Sequence, residues 1–256
     1  MIETITILGG CGKSGDPEPL KEIDLKNGDV VSIVGPTGSG KTMLINDIEL
    51  FAYGDTPTKR RILINGDEVP EEIRNNPHNN PIALITQHTT FLSDLPVCDF
   101  LDLHAKIRQD GGSYLVERTL DLANQLCGEN ILPRNRMTEL SGGQTRALLI
   151  ADAVVIGNSP IILLDEVENA GIYKERALKI LKEYQKMMVF VTHDPVITLF
   201  SDFRIVMRNG SMKQVIKTTE KEKAAAEELK RLDNLLMGLR EKIRSGATIE
   251  LKDVIA

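Results

Sequence analysis

The chain has 256 residues, 41% of them hydrophobic and 27% charged, enough apolar material to fill the core of one large domain or of a domain with an inserted lobe, so disorder is not the expectation. A formal net charge of −6 supplies no broad basic field, which argues against bulk nucleic acid or an anionic membrane surface as the main partner. Cys11, Cys98 and Cys127 are odd in number and far apart, so neither a disulfide framework nor a zinc site is expected, and the thiols read as reduced. The opening Met1-Ile2-Glu3-Thr4 lacks the basic start and apolar core of a signal peptide, and no apolar run approaches the ~20 residues needed to cross a bilayer. A cytoplasmic protein is expected, peripheral at the inner face of a membrane only through a partner.

Ile2 to Leu8 alternates apolar with polar residues and predicts a strand, followed by the turn-rich Gly9-Gly10-Cys11-Gly12 and Asp16-Pro17. Asp29 to Val34 is a short β-branched run suited to a buried strand. It leads into Gly35-Pro36-Thr37-Gly38-Ser39-Gly40-Lys41-Thr42, which fits the phosphate-binding pattern GxxxxGK[ST]. The next stretch, Thr42 to Phe51, places Met43, Leu44, Ile45, Ile48 and Phe51 at helical spacing. Glycines let successive N–H groups converge on phosphates, and the helix N-terminus adds partial positive charge at the same point. In this context Lys41 reaches the β- and γ-phosphates, and the Thr42 hydroxyl ligates Mg²⁺.

Strands are predicted at Arg61 to Ile64, with Asn65-Gly66 closing a hairpin, and at Ile82 to Thr86, which runs into Gln87. From Pro96 to Gly128 the spacing of Phe100, Leu101, Leu103, Ile107, Leu115, Leu120, Leu122 and Leu126 predicts a helical lobe inserted into the α/β body. Leu140-Ser141-Gly142-Gly143-Gln144 then opens a helix over Thr145 to Ile156. The Ser141 hydroxyl and the Gly142 and Gly143 amides make this helix tip a second anion site, with a plain helix cap as the simpler alternative. Ile161 to Leu164 is an apolar strand ending in Asp165-Glu166, and the two carboxylates can divide the work: Asp165 holds Mg²⁺, and Glu166 polarises the attacking water. Strand periods return at Met187 to Thr192, ahead of His193, and at Arg204 to Met207, separated by helical stretches Tyr173 to Tyr184 and Pro195 to Phe200. Such alternation indicates a largely parallel sheet covered on both faces. The charged tail Glu220 to Arg244 carries Leu229, Leu232, Leu236, Leu239 and Ile243 as an a/d seam of about two heptads. It reads either as a helix packed on the body or as a dimerising or partner-binding helix.

The complete LSGGQ run at Leu140 to Gln144, with the phosphate loop, the acidic strand end, Gln87 and His193 in the same chain order, resembles the ATP-binding-cassette (ABC) ATPases over roughly Ile2 to Val215. The resemblance implies an α/β P-loop fold: a mostly parallel core sheet, an antiparallel β subdomain, and a helical subdomain at about 88–157 inserted in an ATPase domain 1–217. A helical tail, 218–256, follows. It implies ATP and Mg²⁺, with Glu166, His193, Gln87 and Lys41 catalytic and with Thr42, Gln87 and Asp165 at the metal. Nucleotide binding falls to Gly35, Pro36, Thr37, Gly38, Ser39, Gly40, Lys41 and Thr42. Ser141, Gly142, Gly143 and Gln144 complete the site from the opposite subunit of a head-to-tail dimer, either a homodimer or a pairing with a paralogue. Gln87 touches Mg²⁺ or the lytic water and links core to lobe, and His193 contacts the γ-phosphate.

Two functions fit the resemblance: an ATPase subunit powering a separate membrane-spanning transporter subunit, or a soluble ATPase acting on a cytosolic client such as a metalloenzyme. Nucleic acid is not an expected partner. Three departures stand out. No Phe, Tyr or Trp precedes Phe51, where the family places an aromatic on adenine, so the base is held differently or more loosely. Val167-Glu168-Asn169-Ala170-Gly171-Ile172 replaces the family's Pro-Thr-Ser-Ala-Leu-Asp, and Asp152 stands where many members carry arginine.

Overall fold

The computed structural model describes residues 2–76, 80–109, 112–166 and 174–254. Strand β1 (Thr4–Leu8) pairs antiparallel with β2 (Glu22–Lys26) on one edge and with β4 (Arg61–Ile64) on the other, and β4 turns at Asn65-Gly66 into the short β5 (Asp67–Glu68). Strand β2 is an element the sequence reading does not assign, although Ile23 and Leu25 are buried while Glu22, Asp24 and Lys26 are exposed. That alternation is what one solvated sheet face demands.

The second sheet is the core. Strands β3 (Val30–Val34), β6 (Ile82–Thr86), β7 (Ile161–Asp165), β8 (Met187–Val191) and β9 (Phe203–Arg208) run parallel, and β10 (Ser211–Lys217) closes one edge antiparallel to β9. The order is β10-β9-β3-β8-β7-β6. Neighbouring residues of one strand feed two cores. Ile162, Leu164, Met188 and Phe190 join the core beneath the helical lobe, while Ile161, Leu163, Met187 and Val189 join the core shared with the antiparallel sheet. Burial on both faces is why these strands are continuously apolar rather than alternating.

Helix α1 (Lys41–Glu49) follows β3 and seats Leu44, Ile45 and Ile48 at zero exposure in the second core. Each such side chain contributes roughly 1.5–3 kcal/mol, so the helix that carries the phosphate loop is firmly seated. A single turn, α2 (Glu71–Arg74), precedes β6. The lobe consists of α3 (Val97–Gln109), α4 (Ser113–Leu126) and α5 (Gly142–Val155), packed through Leu101, Leu120, Ala123, Leu126, Leu148 and Ala151. Asp152 of α5 is 9% exposed and lies 2.8 Å from His104 Nδ1 of α3, a polar tie between two lobe helices.

Helix α6 (Lys174–Glu183) buries Ala177, Leu178 and Leu181. Helix α7 (Pro195–Phe200) begins with proline at N1 and is capped by Asp194, whose Oδ1 accepts from the Val196 and Ile197 amides at 2.9 and 3.0 Å. Helix α8 (Glu220–Arg244) packs on α7 near its start, where Ala226 is buried and Arg204 holds Glu222 at 2.6 Å. Beyond that point Leu232, Leu236 and Ile243 are 49%, 50% and 62% exposed, so most of the apolar seam faces solvent. Among the described residues no helix is long and apolar enough to cross a membrane.

Candidate nucleotide site

The phosphate loop turns between β3 and α1, and its glycines are sterically required. A Cβ on Gly35 would lie 2.4 Å from the Met207 carbonyl oxygen, and Gly40, at φ 100, would place one 2.9 Å from Gly210 Cα. No L side chain fits either position. Ser39 is 3% exposed, and its Oγ has no hydrogen-bond partner. A buried hydroxyl left unsatisfied in a glycine-rich loop is a group that a phosphate oxygen could satisfy.

Lys41 is 6% exposed. Its ammonium donates to the Gly35 carbonyl at 3.0 Å and stands 3.4 Å from that of Pro36 and 3.1 Å from His193 Nε2. Because Lys41 offers only N–H donors, Nε2 of His193 is the lone-pair nitrogen in this arrangement. Glu166 Oε1 lies 3.9 Å from the same Nε2. Parallel pairing produces this convergence: Thr86 is in register with Asp165, Asp165 with Val191, and β3 lies beside β8. Gln87, Glu166 and His193 therefore leave the same carboxyl edge of the sheet as the phosphate loop, the usual place for a ligand in a parallel α/β sheet. The Glu166 amide donates to the Val191 carbonyl at 2.9 Å with φ at 51, an uncommon left-handed conformation for a bulky residue.

Thr42 is exposed in the first turn of α1, Asp165 is half-buried at the tip of β7, and Gln87 is exposed in the turn after β6. A hydroxyl, a carboxylate and an amide are hard oxygen donors that fit Mg²⁺. Among the described residues no group of three or more His, Cys, Asp or Glu is placed to hold a metal ion.

Ser141 caps α5. Its Oγ accepts from the Gln144 amide at 3.3 Å and donates to Glu129 at 3.2 Å, while its own amide donates to Gln144 Oε1 at 2.9 Å. The Gln144 side chain also reaches the Asn130 carbonyl at 3.1 Å. The structure thus brings Lys41, His193 and Glu166 together and holds Ser141, Gly142, Gly143 and Gln144 in a separate exposed helix tip. One connecting residue escapes the sequence reading. Arg146 donates to the carbonyl of Gln87 at 2.8 Å and to that of Gly142 at 3.0 Å, tying the signature helix to the Gln87 turn. The altered stretch Val167 to Ile172 lies outside the described residues.

Also unforeseen is an ion cluster behind the loop. Arg60 donates to Glu18 through Nε at 3.0 Å and Nη2 at 2.7 Å, to Asp47 at 2.8 Å and to the Gly210 carbonyl at 2.8 Å. The amides of Gly10 and Met212 donate to Glu18, and Thr58 donates to Asp47. Burial pushes the Glu18 carboxyl upward, but the Arg60 guanidinium and the two amides outweigh it and hold Glu18 below the ordinary carboxylate range. Burial acts to lower Arg60, and its two carboxylates reverse that and hold it above its usual value.

A family model described as ABC transporter matches residues 21–169, a span containing the phosphate loop, the signature and the acidic strand end. The chain belongs to the ABC transporter family. This ABC cassette is 49% identical over 253 residues to an ABC transporter ATP-binding protein of Methanocaldococcus jannaschii, covering 99% of this chain and 97% of that one. It is 31% identical over 202 residues to the spermidine/putrescine import ATP-binding protein PotA of Bacteroides fragilis, covering 75% of this chain but only 42% of PotA. Among solved structures, the dimeric post-hydrolysis state of the ATP-binding cassette MJ0796 bound to ADP and Pi superposes with a TM-score of 0.62 at 26% identity, covering 84% of this cassette and 99% of that chain. The α/β P-loop architecture expected from sequence is the architecture of this cassette.

Proposed function

We propose that this chain is the ATP-hydrolysing subunit of a transport system, working as a head-to-tail pair on a separate membrane-spanning protein from the cytoplasmic side. The observation that carries the ATPase reading is the convergence of Lys41, His193 and Glu166 beside a glycine cradle with an orphaned buried hydroxyl. The pairing and the membrane partner draw support from the dimeric cassette and the transport-protein relatives.

In this reading the loop amides and the Ser39 hydroxyl take the phosphate oxygens. Lys41 exchanges neutral carbonyl partners for anionic oxygens, a stronger charge-assisted bond, and in turning frees His193 Nε2, which donates to the γ-phosphate once that nitrogen carries the ring proton. Glu166, one residue beyond the strand, accepts a hydrogen bond from the attacking water and orients it for in-line attack. Thr42, Asp165 and Gln87 would hold Mg²⁺, which when bound would supply positive charge to offset that of the phosphates. Ser141 and the Gly142 and Gly143 amides of the opposite subunit donate to the γ-phosphate, which couples turnover to closure of the pair.

Complementation tests the shared site. Lys41→Ala and Ser141→Arg should each lose hydrolysis by about 10²-fold or more, with Ser141→Arg still binding ATP. Mixing the two dead proteins should restore turnover, because one of the two sites in the mixed pair keeps both Lys41 and Ser141. Wild-type rates from Ser141→Arg alone would mean that one subunit suffices. Native purification in mild detergent should recover a multi-spanning protein; recovery of a soluble client in its place would replace the transport reading.

A further inference from the structure

The connection between β1 and β2 reaches the phosphate loop through Lys13, whose ammonium donates to the Gly38 carbonyl at 2.8 Å. The backbone around Lys13 is fixed from several sides. Its amide donates to the Asn209 carbonyl at 3.0 Å, the Cys11 amide to that of Thr58 at 2.6 Å, and the Gly12 amide to that of Asp16 at 2.9 Å. The same Asn209-Gly210 turn grips the phosphate loop from the other side, with the Gly210 amide donating to the Ser39 carbonyl at 2.8 Å. Three segments distant in sequence are thereby locked together, and the one long cationic side chain of the 9–17 connection is set against the loop. A free surface lysine favours many rotamers in water, so this placement is specific.

No Phe, Tyr or Trp precedes Phe51, and Phe51 is 2% exposed within the core. The next ring, Tyr53, has the Arg61 and Arg74 guanidinium groups over it at 5.7 and 4.8 Å. What this connection sets against the phosphate loop is the Lys13 ammonium.

We propose that Lys13 is a second phosphate-binding lysine: with nucleotide in the loop, its ammonium turns from the Gly38 carbonyl to the phosphate chain, supplying through charge the affinity that stacking would supply through the base. The inference rests on the ATPase reading. Its consequence is weak discrimination between bases, because every nucleoside triphosphate carries the same phosphates.

The test is titration of full-length wild type, Lys13→Met, Lys13→Arg and Lys41→Ala with MgATP and MgGTP at low and high salt, alongside melting of each protein without nucleotide. Wild type should bind both nucleotides within a few-fold of one another. Lys13→Met should weaken both by about tenfold, the size of one charge-assisted contact. Its salt dependence should be shallower than that of the wild type, its unliganded melting unchanged, and Lys13→Arg close to wild type. Unchanged affinities in Lys13→Met with a lowered melting point would assign Lys13 a purely structural role and overturn the inference. Loss of ATP binding with GTP binding retained would overturn it too, by making Lys13 a base contact. Should the wild type bind neither nucleotide and behave as Lys41→Ala, the ATPase reading itself falls, and the Lys13 inference with it.

Discussion

The two sides of the phosphate loop handle polar groups in opposite ways. Behind it, Arg60, Glu18 and Asp47 are 0%, 1% and 1% exposed, and their charges are met by one another and by the backbone of Gly10, Gly210 and Met212. In front of it, Ser39 Oγ is buried without a hydrogen-bond partner, and Lys41 rests against neutral carbonyls and an imidazole. Satisfied networks fix geometry, whereas unsatisfied groups hold binding energy in reserve for a ligand. The back holds the loop in shape, and the front is left to be completed by phosphate.

The largest effect should come from the front. Glu166→Gln is expected to reduce turnover by about 10²–10⁴-fold while keeping MgATP binding and accumulating an ATP-bound dimer, measured by phosphate release and size-exclusion chromatography. Wild-type turnover in that variant would remove the base assignment.

Next comes the back: Arg60→Met leaves two carboxylates buried without their cation and should destabilise the fold by about 3–5 kcal/mol in chemical denaturation. A loss below 1 kcal/mol would show that the cluster does not organise the loop.

Acid should act on the same side. Glu18 titrates below its ordinary 4.5 in the folded protein, so its contribution is fully present above the unfolded value and fades as pH falls through the folded one. Glu18→Gln should flatten the loss of stability below pH 4.5, and a slope identical to wild type would discount the pairing.

The smallest effect belongs to Ser39→Ala. Removing a buried hydroxyl with no partner should change unliganded stability by no more than about 1 kcal/mol, yet weaken MgATP binding several-fold. A large unliganded destabilisation would place Ser39 with the back rather than the front.

The front was legible in sequence because its chemistry sits in short contiguous runs. Gly35 to Thr42 and Asp165-Glu166 each announce a strand end by their own order, and parallel register then brings Gln87 and His193 beside them. The back was not legible. Arg60 is 42 residues from Glu18 and 13 from Asp47, and isolated charges in a chain usually mark solvated surface. Strand β10 was missed although its signal was present: Asn209 and Gly210 both have positive φ and form the Asn-Gly hairpin turn with β9. Helix α8 was bounded correctly at Glu220 and Arg244 by charge and heptad spacing. Whether its seam packs on the body depended on where α7 ends, which spacing does not encode.

With Glu166 as the proposed base, its left-handed backbone sets stability against activity at a single position. A non-glycine residue held there carries strain of roughly 1–2 kcal/mol, which glycine would relieve at the loss of the carboxylate. On the proposed base assignment, Glu166→Gly should therefore raise stability while removing turnover.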